Sequence, residues 1–182
     1  MTDSINETKV WIKDFVIKYN LCPFAKSPFE KGEIEYKSFL SSNSNDWQAQ
    51  YFDELVDYLK EFVKQDIYTN SFVILENNCS FKEYLNIYYD FEDYLKYKNL
   101  HSEVQIVVFH PLFVFQSHSE SDRVNYVNRS PYPMIHFLKS EVVSTAIDNY
   151  KGDAENISFL NEDTLNSLSD NAFKKIINKK NE

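Results

Sequence analysis

The chain has 182 residues, a formal net charge of -9 and a pI near 5.0. That length fits one domain able to bury about 70% of the surface its unfolded chain exposes, without covalent staples. The acidic balance argues against a general nucleic-acid binder, which needs a basic face, and against adhesion to anionic membranes.

Ser4 and Glu7 stand at capping-box spacing, and Trp11, Phe15 and Tyr19 follow on one helical face with Ile12 and Val16. Asn20 and Pro23 predict the end of this first helix. Met1 to Glu7 is polar and acidic, with no apolar core of a signal peptide. No run of about 18 apolar residues follows, so the expected location is the cytoplasm. Pro28 and Gly32 mark a loop, and Glu33 to Leu40 alternates as a strand. After a polar break at Ser41 to Asn45 comes the clearest amphipathic helix, Asp46 to Lys64, with Leu55, Leu59 and Phe62 inward.

Phe72 to Leu75 reads as a buried strand. Ser80 and Glu83 form a second capping box ahead of a helix carrying Tyr84, Tyr88, Phe91 and Leu95. Val104 to Phe109 is a β-branched strand. His110 to Tyr132 is irregular, with a short strand expected at Phe113 to Phe115. A helix is expected after Pro133, and another around Val142 to Ile147. Beyond about residue 152 the chain is a polar tail with weak helical patterns at Leu160 to Leu168 and Phe173 to Ile177. Alternating strands and helices predict a single α/β domain over 1–182. Its sheet should be small, largely parallel, of three to four strands, and covered by helices. In such sheets ligands sit beyond the carboxyl ends of strands, here the end marked by His110.

All four histidines and both arginines fall between residues 101 and 136, in a chain that otherwise uses lysine. The planar fork of Arg129 can hold a phosphate or carboxylate in two parallel hydrogen bonds, or pin the loop through backbone carbonyls. Arg123, beside Glu120 and Asp122, reads as a solvated side chain. Asn128 and Ser130 flank Arg129 and complete a candidate anion cradle, stiffened by Pro131 and Pro133. Cys22 is a candidate nucleophile, and His110 and His136 are candidate acid or base groups. Each has a structural alternative: a buried thiol, a loop-capping ring and a packed helix histidine. These three could also ligate zinc or iron, but they lack the short paired spacing of a metal motif, and no metal or other cofactor is assigned. Cys79 reads as structural, and neither cysteine is expected in a disulfide.

Three segments carry a family resemblance: Leu21-Cys22-Pro23-Phe24-Ala25, Phe109-His110-Pro111, and Asn128 through His136. In this order and spacing they resemble the bacterial and plastid family catalogued as domain of unknown function 1415, over about Val10 to Tyr150. The resemblance implies a location for a site and no reaction. Cys-Pro-Phe-Ala is also similar to the active-site turn of glutaredoxins and omega-class glutathione transferases, where a strand precedes the cysteine; here a helix precedes it. Two functional expectations follow. One is an enzyme acting on a small anionic molecule bearing phosphate or carboxylate. The other is a non-catalytic metabolite- or protein-binding module. Oligomeric state is left open.

Overall fold

The computed structural model describes residues 3–40 and 46–173. The expected polar break at 41–45 and residues 174–177 of the last expected helix lie outside them. The first apolar helical face forms α1 (Asp3–Trp11), which runs on as a π-helical turn over Ile12–Ile17. Leu21 N–H reaches back five residues to the Val16 carbonyl at 2.9 Å. Asn20 ends the run in the left-handed region at φ 53°, which asparagine tolerates better than most residues. Ser4 is no cap: it lies inside α1 and its hydroxyl donates to Glu76. A short helix α2 (Lys26–Lys31) replaces the loop expected at Pro28. Pro28 fits because it stands in the first turn, where a backbone N–H has no helical partner. Gly32, at φ 72°, ends α2 in a conformation that costs glycine little.

Then come β1 (Ile34–Phe39), α3 (Trp47–Phe62), β2 (Asn70–Leu75), α4 (Phe81–Tyr97) and β3 (Val104–Phe109). All five were legible in sequence periodicity, and the Ser80–Glu83 capping box is present at the start of α4. After a long irregular segment and a 3-10 turn at Arg123–Val127 come β4 (Met134–Lys139), α5 (Ser140–Asp148) and α6 (Ile157–Ser167). No strand forms at Phe113 to Phe115.

The sheet order is β1-β2-β4-β3. β1 pairs parallel with β2, while β4 runs antiparallel to both β2 and β3. The sheet is therefore mixed and mostly antiparallel, which corrects the largely parallel expectation. The cause is the segment after Pro133. Pro133 predicts a helix start, yet the mainly apolar Met134 to Lys139 fills the central gap between β2 and β3 as a strand. Proline suits the position just ahead of a strand as well as a first helical turn, because neither needs its N–H.

Strand alternation sends side chains to two cores. One face packs Val73, Ile106, Val108, Ile135 and Phe137 under α3 and α4. There the buried Tyr51 hydroxyl donates to the Val73 carbonyl at 2.9 Å and accepts from Tyr84 at 2.9 Å, so both phenols are satisfied. The other face packs Ile34, Phe72, Ile74 and Met134 under α1, the π turn and Leu165 of α6. The region after residue 152 thus contributes to the core. Arg123 binds it there: its guanidinium donates to the Leu165 and Leu168 carbonyls, pairs with Asp170 and lies over the Phe173 ring. That replaces the solvated role expected for Arg123. Among the described residues no helix is long and apolar enough to cross a membrane.

Candidate functional site

A cavity of about 150 Å³ lies between the second sheet face and the N-terminal segment. The sheet supplies Ile34, Asn70, Phe72, Phe109 and His136. The covering layer supplies Trp11, Ile12, Val16, Cys22, Phe24 and Ala25, and the loop before β4 adds Asn128. The π turn is part of this wall: its wider winding places Ile12 and Val16 against the space. Such turns recur at functional sites. Asn161 of α6 donates to the Leu21 carbonyl at 2.8 Å and holds the Cys22 turn in place.

The cavity reaches the amino ends of β1 and β2 at Ile34 and Asn70. It runs across the sheet face from there to Phe109 at the carboxyl end of β3 and to Val127 and Asn128 of the loop before β4, rather than sitting beyond the carboxyl ends alone, where a parallel sheet would have placed it. That rule belongs to open parallel sheets, and β4 breaks the parallel run here.

His136 stands on strand β4 and not on the first turn of a helix. Its ring stacks on the cross-strand partner Phe72, with centroids 4.0 Å apart and planes within 5°. Nε2 lies 3.0 Å from Oδ1 of Asn70, the diagonal neighbour on the same face. The Asn70 amide is oriented by its own Nδ2, which donates to Thr69 Oγ1 at 3.1 Å, and Thr69 Oγ1 donates in turn to the Glu33 carbonyl at 3.4 Å. Oδ1 can only accept, so this network assigns the proton of the neutral ring to Nε2 and leaves Nδ1 an acceptor. Burial pushes the His136 pKa down from 6.5 to about 3, so the ring is neutral at physiological pH.

Cys22 borders the same cavity from the turn ahead of α2. Burial raises its thiol pKa, against the lowering pull of the Phe24 and Ala25 amides that donate to the sulfur. The thiol is therefore held protonated, unlike a thiolate nucleophile. In Trp11, on the same wall, the indole N–H is buried and has no acceptor among the described residues.

The other expected site residues lie elsewhere or are engaged. His110 is buried on the opposite face, between Phe81 and Tyr84. Its Nδ1 accepts from Leu112 N–H at 3.0 Å and its Nε2 donates to the Cys79 carbonyl at 3.2 Å. Cys79 lies beside it, and burial followed by the Glu83 charge pushes this thiol up to about 12. Arg129 donates to the Phe113 carbonyl at 2.9 Å and the Glu120 carbonyl at 2.8 Å, and lies over the Tyr126 ring. This is the loop-pinning alternative. Ser130 is buried and donates to the Tyr132 carbonyl at 2.5 Å. Asn128 donates to the Val108 carbonyl at 3.0 Å while bordering the cavity. The structure thus brings Cys22, Asn128 and His136 together and separates them from His110. Both cysteines are free. Among the described residues no group of three histidine, cysteine or carboxylate side chains could hold a metal ion.

Sequence reasoning missed Asn70, Trp11 and the aromatic wall as site groups. Trp11 was visible as a helix-face residue, but nothing local marks Asn70, whose role depends on a partner 66 residues away.

Fold and cavity together define a mixed α/β protein with a small, mainly apolar chamber on one sheet face. The family model described as protein of unknown function (DUF1415) matches residues 3–175, so the chain belongs to that family, as its three segments implied. No curated protein and no solved structure matches the chain.

Proposed function

We propose that this protein is a metabolite-binding module that holds a small, neutral, largely apolar molecule in the cavity between α1 and the sheet. One observation carries the reading: the wall is mainly apolar, its polar groups are neutral, and it includes no lysine or arginine. A volume of about 150 Å³ matches that of an engineered apolar cavity in another protein that binds benzene, so a single ring sets the scale. The alternative of an enzyme on a phosphate- or carboxylate-bearing molecule has less support. Its intended clamp, Arg129, spends its guanidinium on two backbone carbonyls. A thiol held protonated and an imidazole with a pKa of about 3 are also poorly matched to nucleophilic or acid–base work near neutral pH.

Thermal shift against matched probes tests this reading. Benzene and phenol should raise the melting temperature, because a ligand that binds only the folded state stabilises it by mass action. Benzoate and inorganic phosphate should not. Ala25→Phe, which fills the chamber, should abolish the response to the neutral probes. A response to the anions alone would overturn the reading in favour of the enzyme alternative.

A further inference from the structure

We propose that the cavity selects a single-ring molecule carrying one O–H or N–H group, which donates its hydrogen bond to Nδ1 of His136. The inference rests on the binding reading above and names the ligand class. Its basis is the geometry around one ring.

His136 is fully committed on two sides. One flat face covers Phe72, and the Nε2 edge is spent on Asn70. Asn70 could turn to offer its N–H only if the Thr69 hydroxyl gave up the Glu33 carbonyl and donated to Oδ1 instead. Nε2 therefore keeps the proton, and Nδ1 keeps a lone pair. Nδ1 takes no hydrogen bond among the described residues, and the ring that carries it borders the cavity. β4 is an inner strand with β2 and β3 on either side, so a side chain on this face opens into the space under the covering layer. His136 borders the cavity, and the cavity is that space.

An open acceptor in an apolar chamber discriminates strongly by hydrogen-bonding type. A donor on the ligand satisfies it, whereas an acceptor-only ligand strips its water and returns nothing. A carboxylate would face the lone pair with its own negative charge. The aromatic wall suits a planar ring: Phe109 lies 6.2 Å from His136 and 5.4 Å from Trp11. The orienting chain back to Glu33 holds the tautomer over the whole range in which the ring stays neutral.

The test uses phenol, anisole and benzene as probes on the full chain, with affinity read by calorimetry. Anisole keeps the ring and the oxygen but loses the donor. Phenol should bind about tenfold more tightly than anisole or benzene, the scale of one good hydrogen bond in a dry site. His136→Phe should erase the advantage of phenol over anisole and benzene. In the unmutated protein, the ¹⁵N resonance of His136 Nδ1 should move on adding phenol and stay with benzene, a readout that does not depend on the variant folding. Benzene binding with no preference for phenol overturns this inference and leaves the binding reading intact. A preference that survives His136→Phe, or an unmoved Nδ1 resonance, overturns the role of His136. No binding by any of the three probes overturns the binding reading itself.

Discussion

His110 and His136 lie on opposite faces of one sheet, and their surroundings give them opposite work. His110 has both ring nitrogens engaged by backbone groups and two aromatic rings packed around it. It ties the segment entering α4 to the loop leaving β3. His136 has one nitrogen engaged by a side chain, and its ring borders a chamber. The comparison teaches that a histidine on or just past a strand is a strut when the backbone supplies its partners. Under the proposed function it becomes a recognition group when a side chain fixes one nitrogen and the ring borders a cavity.

The largest expected effect sharpens the strut half. His110→Ala should cost about 3 kcal/mol in urea denaturation, since it empties an aromatic pocket and strands the Leu112 N–H and the Cys79 carbonyl. A loss below about 1 kcal/mol would be that of an ordinary surface site and would remove the strut.

Next in size is the acid sensitivity of the other face. The unfolded chain protonates His136 below its ordinary value of 6.5, while the folded ring resists down to about 3. The folded pKa is depressed, so this contribution to stability is present above 6.5 and is lost as pH falls toward 3. Between pH 7 and 5 the loss from this one group should be about 2 kcal/mol. His136→Phe should therefore show a flatter stability profile over that interval than the unmutated protein. Identical profiles would mean that the ring titrates as if in water, and the contrast between the two histidines would fail.

The smallest effect concerns the loop that joins the two faces. Arg129→Lys keeps the charge but loses the fork over the Phe113 and Glu120 carbonyls. It should lower stability by about 1–2 kcal/mol, seen as a lower melting temperature, with phenol affinity unchanged. An unchanged melting temperature with lost ligand binding would return Arg129 to the site and break the comparison in favour of an anion clamp.

Much of the layout was legible because it is local. Leu55, Leu59 and Phe62 declare α3 by spacing, Ser80 and Glu83 declare the start of α4 by reciprocal capping, and Val104 to Phe109 declares β3 by its β-branched run. The segment around Pro133 is where local signals were ambiguous, because proline is acceptable ahead of either kind of element. That one misreading changed the sheet from mostly antiparallel to parallel and put His136 on the wrong kind of element.

For the site, the sequence named Cys22, Asn128 and His136 as residues whose chemistry could matter, and it narrowed the histidines and arginines to one window. It could not say which of them share a space. Periodicity reports which way a side chain faces relative to its own element, over a few residues. Whether two groups meet depends on strand register and on the element that covers the sheet. Asn70 reaches His136 because β2 and β4 pair with Phe72 opposite His136, and Cys22 joins them because α1 and its π turn lie over that face. His110 is excluded because it packs on the other face, where α4 and not α1 covers the sheet. These are contacts between residues far apart in the chain, so the packing of the elements decides them, and no local pattern encodes them.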